Sequence, residues 1–219
     1  MQTFERYEKK YLLNPELCQK FLKEISSHLT ADKHPNTKIH SIYYDTPNFQ
    51  LIRRSIEKPE YKEKLRVRTY NDDLSVFVEL KKKFKGVVYK RRTKANRFEV
   101  LKDINSCTFE DEQVGREIKY FLDYYKNIKP AIYIGCERFA FVTTEGIRIT
   151  IDKNMKYRLE DLSFDSNIKD KPITDYWVME IKAVNAYPLW LSDSLSKNNI
   201  FPRGFSKVGT AYLKEIERY

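Results

Sequence analysis

Between Lys64 and Tyr70 the chain reads Lys-Leu-Arg-Val-Arg-Thr-Tyr. A β-strand sends successive side chains to opposite faces, so Lys64, Arg66 and Arg68 share one face and Leu65 and Val67 the other. A lone strand of this kind can be a solvated edge guarded by cations. Here the pattern repeats. Arg6, Glu8 and Lys10 alternate with Tyr7, Lys9 and Tyr11, while Glu79, Lys81 and Lys83 follow Val76-Phe77-Val78. Lys90 and Arg92 follow Val87-Val88, and Glu137 precedes Arg138. Arg148, Thr150 and Asp152 alternate with Ile147, Ile149 and Ile151, and Glu180 and Lys182 with Met179 and Ile181. Several strands therefore carry charge on one face and apolar side chains on the other. A sandwich would scatter these charges over solvent, whereas a closed barrel covered by helices would collect them in its lumen. Periodicity alone does not choose between the two.

The other elements follow from caps and spacing. Thr3–Leu13 reads as a strand. Asn14-Pro15 is an N-cap with proline at the first helical position, and Leu17, Phe21, Leu22, Ile25 and Leu29 give the apolar stripe of a helix reaching about Leu29. Residues 32–37 read as a polar loop, Lys38–Asp45 as a strand and Phe49–Ser55 as a short helix. Strands are expected at 61–71, 75–83 and 87–100, joined by Asn71-Asp72-Asp73 and Lys85-Gly86 turns. A helix follows over about 111–125. Three more strands are expected at 131–141, 147–157 and 177–183, then helices at 188–195 and 206–218. With 219 residues and no linker or repeat, residues 1–219 are expected to form one α+β domain with a mostly antiparallel sheet.

Lys and Arg number 41 against 31 Asp and Glu, a formal charge of +10, which points to a polyanionic partner. No apolar run has the length of a membrane span, and the first residues are too charged for a secretory leader, so a cytoplasmic protein is expected. The odd, scattered cysteines Cys18, Cys107 and Cys136 suit reduced thiols. His28, His34 and His40 are irregularly spaced, read as surface residues, and do not suggest zinc. There is no P-loop, GxGxxG, nucleophile elbow or HExxH.

Cations pooled in a confined space repel one another unless an anion binds there. A linear phosphate chain, held by lysines and forked arginines, matches them well. The carboxylates Glu8, Glu79, Asp152 and Glu180 can pair with neighbours such as Lys10, Lys81 and Lys182. Alternatively, one or two can hold Mg²⁺ or Mn²⁺ together with phosphate oxygens. Glu180 is the first choice of ligand, followed by Glu8. A nucleic-acid-binding module is a third class consistent with the charge and the 16 tyrosines. It is disfavoured because the cations alternate with carboxylates and no base-stacking motif is visible.

At these positions the chain resembles the polyphosphate polymerase domain of the vacuolar transporter chaperone type, within the triphosphate tunnel metalloenzyme (CYTH-like) superfamily. The matching stretches include Arg6-Tyr7-Glu8-Lys9-Lys10-Tyr11, Ser41-Ile42-Tyr43-Tyr44-Asp45, Leu65-Arg66-Val67-Arg68 and Val78-Glu79-Leu80-Lys81. Tyr89-Lys90-Arg91-Arg92, Glu137-Arg138, Arg148-Ile149-Thr150-Ile151-Asp152, Val178-Met179-Glu180-Ile181-Lys182 and Phe205-Ser206-Lys207 follow in order. The resemblance implies an eight-stranded antiparallel β tunnel, a closed barrel, with helices packed outside and a C-terminal helix. It implies that Lys10, Arg66, Arg68, Lys81, Lys90, Arg138 and Lys207 act on phosphate. Arg92, Arg148, Lys182 and Ser206 would complete the substrate contacts, and Glu180 with Glu8 would hold Mn²⁺ or Mg²⁺. The implied reaction moves the γ-phosphate of ATP onto a growing inorganic polyphosphate chain. Hydrolysis of tripolyphosphate or a nucleoside triphosphate is the alternative in the same fold. ATP and polyphosphate are the expected partners; nucleic acid is not, and room is left for a membrane partner. The chain departs from the superfamily pattern at Arg6, where a glutamate is usual, and at Gly204, where a lysine is expected and Arg203 stands beside it.

Overall fold

The structure, a computed structural model, describes residues 7–71 and 73–216. Arg6 and the start of the first expected strand lie outside them. Among the described residues nine strands form one sheet: β1 (Tyr7–Leu13), β2 (Thr30–Asp45), β3 (Tyr61–Tyr70), β4 (Ser75–Phe84), β5 (Val87–Asn96), β6 (Lys129–Val142), β7 (Arg148–Arg158), β8 (Lys171–Pro172) and β9 (Trp177–Ala183). The helices are α1 (Pro15–Glu24), α2 (Gln50–Ile56), α3 (Arg97–Lys102), α4 (Glu112–Tyr125), α5 (Leu189–Lys197) and α6 (Lys207–Ile216). Strand order is β1-β9-β7-β6-β2-β3-β4-β5, with β8 paired to β7.

This order corrects the expected closed barrel: among the described residues no hydrogen bonds join β1 to β5, so the described sheet has two ends. The reason is local, because other segments take up groups on both terminal strands. The Arg203 amide donates to the Lys10 carbonyl at 2.8 Å on β1. On β5 the Glu110 amide donates to the Lys94 carbonyl at 3.1 Å, and Ala95 bridges Phe109.

Backbone contacts divide the chain into two compact units. The first comprises Met1–Thr37, Cys136–Met155 and Thr174–Ser206; the second Lys38–Gly135, Lys156–Ile173 and Lys207–Tyr219. In the first, Tyr11, Ile149, Ile151, Met179 and Ile181 of the strands bury their side chains with Cys18 and Phe21 of α1 and Leu191 and Leu195 of α5. In the second, Ile42, Leu65, Val67, Val78 and Leu80 pack with Leu51 of α2, Val100 of α3, and Val114, Ile118, Phe121 and Leu122 of α4. Each fully buried Leu or Ile of this kind contributes about 1.5–3 kcal/mol. In both units the apolar face of the strands shares a core with helices, which leaves the charged residues on the opposite face.

Capping explains where several elements start and stop. Asn14 Oδ1 accepts from the Leu17 amide at 2.7 Å, with Pro15 first in α1. That helix ends at Glu24 rather than near Leu29, giving way to a 3₁₀ turn at Ser26–His28. Asn96 accepts from the amides of Phe98 and Glu99, so β5 stops there and a helix begins, where the sequence pattern suggested strand to Val100. Residues 32–37 continue β2 instead of forming a loop, and the short β8 had no sequence signal. Asp111 caps α4 through the Val114 amide at 2.9 Å. Lys85 (φ 45°) and Gly86 (φ 88°) join Phe84 to Val87 in a two-residue hairpin whose left-handed backbone suits glycine.

Cys18, Cys107 and Cys136 are buried and form no disulfide. His40 departs from the expected surface position: it is half-buried, and its Nδ1 hydrogen-bonds the Tyr133 hydroxyl at 2.6 Å. Among the described residues, no helix is long and apolar enough to cross a membrane.

Candidate phosphate-binding faces

In the second unit, register assigns the front of the sheet. Arg66 lies opposite Tyr43 on β2 and Glu79 on β4, and Glu79 lies opposite Arg92 on β5. Two residues along, Lys64, Lys81 and Lys90 form the next row. The front of β3 therefore carries Lys62, Lys64, Arg66 and Arg68; β4 adds Lys81 and Lys83, and β5 adds Lys90, Arg92 and Lys94. Glu79 is the only carboxylate on the front of these three strands. It is 1% exposed and shared among cations. Arg66 Nε donates to Oε2 at 2.7 Å, Lys90 Nζ lies 2.8 Å from Oε1, and Arg92 Nε lies 3.7 Å from Oε1.

Burial raises the cost of ionising Glu79, but the charges of Arg66, Arg68 and Lys90 outweigh it and hold its carboxyl well below the usual range. Arg66 is further fixed by Nη1 donating to the Tyr43 hydroxyl at 2.9 Å. Burial pushes the Tyr43 phenol up, yet the Arg66, Arg68 and Lys64 charges prevail and lower it to about 7. Arg68 Nε donates to Ser41 Oγ at 3.0 Å. The Arg92 guanidinium lies 3.4 Å from the Phe77 ring centroid and 5.5 Å from that of Tyr70, covering both rings.

In the first unit, β1 and β9 place Lys10 opposite Glu180 and Glu8 opposite Lys182, and β7 places Thr150 opposite Glu180. These side chains form an alternating ring of charge. Lys182 Nζ lies 2.9 Å from Glu180 Oε1 and 3.5 Å from Glu8 Oε2, while Lys10 Nζ lies 3.8 Å from Glu180 Oε2 and 3.5 Å from Glu8 Oε1. Burial opposes ionisation of Glu180, but Lys182 and Lys10 lower its pKa below the usual carboxylate range. Arg138 grips Asp152 with both arms at 2.6 and 2.7 Å, and Arg148 Nε donates to Asp32 Oδ2 at 2.6 Å. Thr150 Oγ1 is buried and has no hydrogen-bond partner.

Glu180 and Glu8 offer hard oxygen donors to a divalent ion. Among the described residues, no three His, Cys, Asp or Glu side chains gather as a complete metal cage. This donor set fits Mg²⁺ or Mn²⁺, which bind through one or two carboxylates plus phosphate oxygens and water.

Residues 5–215 match the VTC domain family. The chain belongs to that family. No match to the VTC chain was found among curated proteins. Its fold is similar to that of a Bacillus halodurans protein described as a candidate adenylate cyclase, with a TM-score of 0.59 and 14% identity over 91% of this chain and 92% of that one. It is also similar to the PH1819 protein of Pyrococcus horikoshii, with a TM-score of 0.52 and 16% identity over 97% and 99% of the two chains. A third similar structure is a candidate adenylyl cyclase from Hippeastrum described as having a dominant triphosphatase activity. That match has a TM-score of 0.50 and 15% identity over 93% of each chain. At these identities the likeness is one of fold.

Of the residues singled out in the sequence, the VTC domain brings Arg66, Arg68, Lys81, Lys90 and Arg92 onto one face in the second unit. Lys10, Lys182, Glu180 and Glu8 form the ring in the first unit, whose Arg138 and Arg148 are bonded to Asp152 and Asp32. Ser206 directly precedes α6, and Lys207 is its first residue. Sequence reasoning passed over Tyr43, Ser41 and Thr150. Their period-two spacing was visible, but only strand register sets them against Arg66, Arg68 and Glu180.

Proposed function

We propose that this VTC domain is a metal-dependent polyphosphate polymerase acting on ATP. An oxygen of the terminal phosphate of the growing chain attacks the γ-phosphorus. A new P–O bond forms, the bond to the β-phosphate oxygen breaks, and ADP leaves. Such transfer depends mostly on positioning and neutralisation of charge. The observation that carries this reading is the front of β3–β5, where cations from three strands gather around one buried carboxylate. Arg68, Lys81 and Lys90 bind and orient the phosphates. Glu79 and Tyr43 keep Arg66 in one orientation for the same task. In the first unit, Lys10, Lys182, Arg138 and Arg148 are further phosphate contacts. Ser206 and Lys207 serve the same role in the reading. Glu180, with Glu8, would hold Mn²⁺ or Mg²⁺, which supplies charge neutralisation on phosphate oxygens when bound. The Thr150 hydroxyl, buried without a partner beside Glu180 in register, suits a ligand oxygen there.

Hydrolysis of tripolyphosphate or a nucleoside triphosphate is the second reading, favoured by the fold shared with the Hippeastrum protein of dominant triphosphatase activity. Incubation with ATP and Mn²⁺ separates the two. The polymerase yields ADP and a ladder of long phosphate chains on a gel, whereas release of orthophosphate without polymer supports the hydrolase. Unchanged ATP would refute both.

A further inference from the structure

We infer that the β4–β5 hairpin is a docking tip for an anionic lipid surface. The apolar back of the sheet runs on past the helices that cover it. Leu65 of β3 and Leu80 of β4 lie opposite one another there and are fully buried. Two rows further along the same face, register sets Tyr61 against Phe84 and Phe84 against Val87. Tyr89 joins them on the back and Val88 stands on the front. These five residues are between 40% and 51% exposed, so the row that continues the core ends in solvent. The Tyr61 and Phe84 rings meet edge to face, their centroids 6.4 Å apart. Single apolar residues at a surface are ordinary, but a contiguous group marks a contact site.

Charge around the tip selects what covers it. Between Glu79 and Glu99 the sequence holds nine Lys and Arg and no Asp or Glu. Several of these cations have local partners: Lys82 Nζ lies 3.5 Å from Glu63, Arg91 Nε 3.1 Å from Glu117, and Lys85 Nζ 5.5 Å from the centroid of the Phe84 ring. The hairpin as a whole still carries a positive excess. A second copy of the chain would bring the same excess against this tip and be repelled. An anionic bilayer attracts it, and the boundary between headgroups and acyl chains takes up the apolar side chains.

The shape of the tip suits insertion. Its apex is the two-residue turn Lys85-Gly86, flanked directly by Phe84 and Val87. Apolar side chains therefore reach the apex on both faces, and Lys82 and Lys83 stand one and two residues behind Phe84. Lysine and tyrosine have apolar bodies and polar ends, which lets them straddle a membrane boundary. Nucleic acid gains from stacking on aromatic rings, but the aliphatic Val87 and Val88 offer it nothing comparable.

The test is co-sedimentation of the full chain with vesicles of phosphatidylcholine, alone or mixed with phosphatidylglycerol. The parent should bind the mixed vesicles and not the neutral ones. Phe84→Ser/Val87→Ser should weaken that binding about tenfold, and Lys85→Gln about fivefold. Both variants should keep the parent's affinity for tripolyphosphate. If the double variant does not fold, Lys85→Gln decides. Saturating tripolyphosphate at matched ionic strength should leave vesicle binding in place. Vesicle binding abolished by tripolyphosphate yet untouched by both variants would assign the lipid headgroups to the front cations and overturn the proposal. No binding to mixed vesicles would also overturn it, and so would release from them by oligothymidylate at matched ionic strength. A parent dimer that Phe84→Ser/Val87→Ser dissociates would give the patch to a second copy and overturn it as well.

Discussion

Arg66 and Glu79 face one another across β3 and β4, and the Arg66 Nε–H donates to Glu79 Oε2 at 2.7 Å. This pair is the hub of the front face, because the same carboxylate also meets Lys90 and Arg92. Removing its charge leaves several cations facing one another with no shared anion. Glu79→Gln should therefore lose about 3 kcal/mol of stability in denaturant unfolding, and tripolyphosphate should restore part of the loss by binding only the folded state. The depressed carboxyl gives the pH dependence its sign. The stabilisation is complete above the unfolded carboxylate range near 4.5 and fades as pH falls toward the lower folded value. A variant as stable as the parent at pH 7 would contradict this role.

Tyr43 offers a spectroscopic signature. Its phenol is lowered from 10.0 to about 7, so one tyrosinate should appear near neutral pH in the folded chain. Tyr43→Phe should abolish that step. Because the folded pKa lies below the unfolded one, stability should rise between about pH 7 and pH 10 and level off above. Tripolyphosphate binding adds negative charge beside the phenol and should shift the step upward. An ultraviolet titration without any step below pH 9 would count against this arrangement.

Arg138 and Asp152 form a two-armed pair whose carboxylate is 3% exposed. Lysine cannot reproduce the fork. Arg138→Lys should cost about 1–2 kcal/mol of stability, charge being retained. Thermal unfolding at constant salt measures it, and an unchanged midpoint would show that the geometry of the fork is immaterial.

Glu180→Gln tests the metal assignment. Titration with Mn²⁺ in the presence of tripolyphosphate should show at least tenfold weaker ion binding. Excess Mn²⁺ should restore activity only in part. Unaltered Mn²⁺ affinity would mean that another group holds the ion.

The strand alternation made most of this arrangement legible, since charge and hydrophobicity at period two assigned each face before any register was known. Lys64, Arg66 and Arg68 share the front, with Leu65 and Val67 behind, as read. Pairing was not legible. The sequence suggested Lys81 as the neighbour of Glu79, whereas cross-strand register gives that carboxylate to Arg66, Lys90 and Arg92. Bound to Glu79 and Tyr43, Arg66 contributes to the fold, and Arg66→Ala should reduce stability together with turnover. Asp45 shows the same limit. It stood out as the end of a strand motif, but its buried carboxylate accepts from the Thr46, Leu51 and Ile52 amides and caps α2. Barrel closure could not be read from periodicity because it depends on which segments occupy the outer groups of β1 and β5.

A crystal structure with a non-hydrolysable ATP analogue and Mn²⁺ tests phosphate binding on this face without intermediaries. Triphosphate oxygens should lie within hydrogen-bonding distance of Arg68, Lys81 and Lys90 on the front of β3–β5. A nucleotide bound elsewhere, with those three side chains untouched by phosphate, would contradict it.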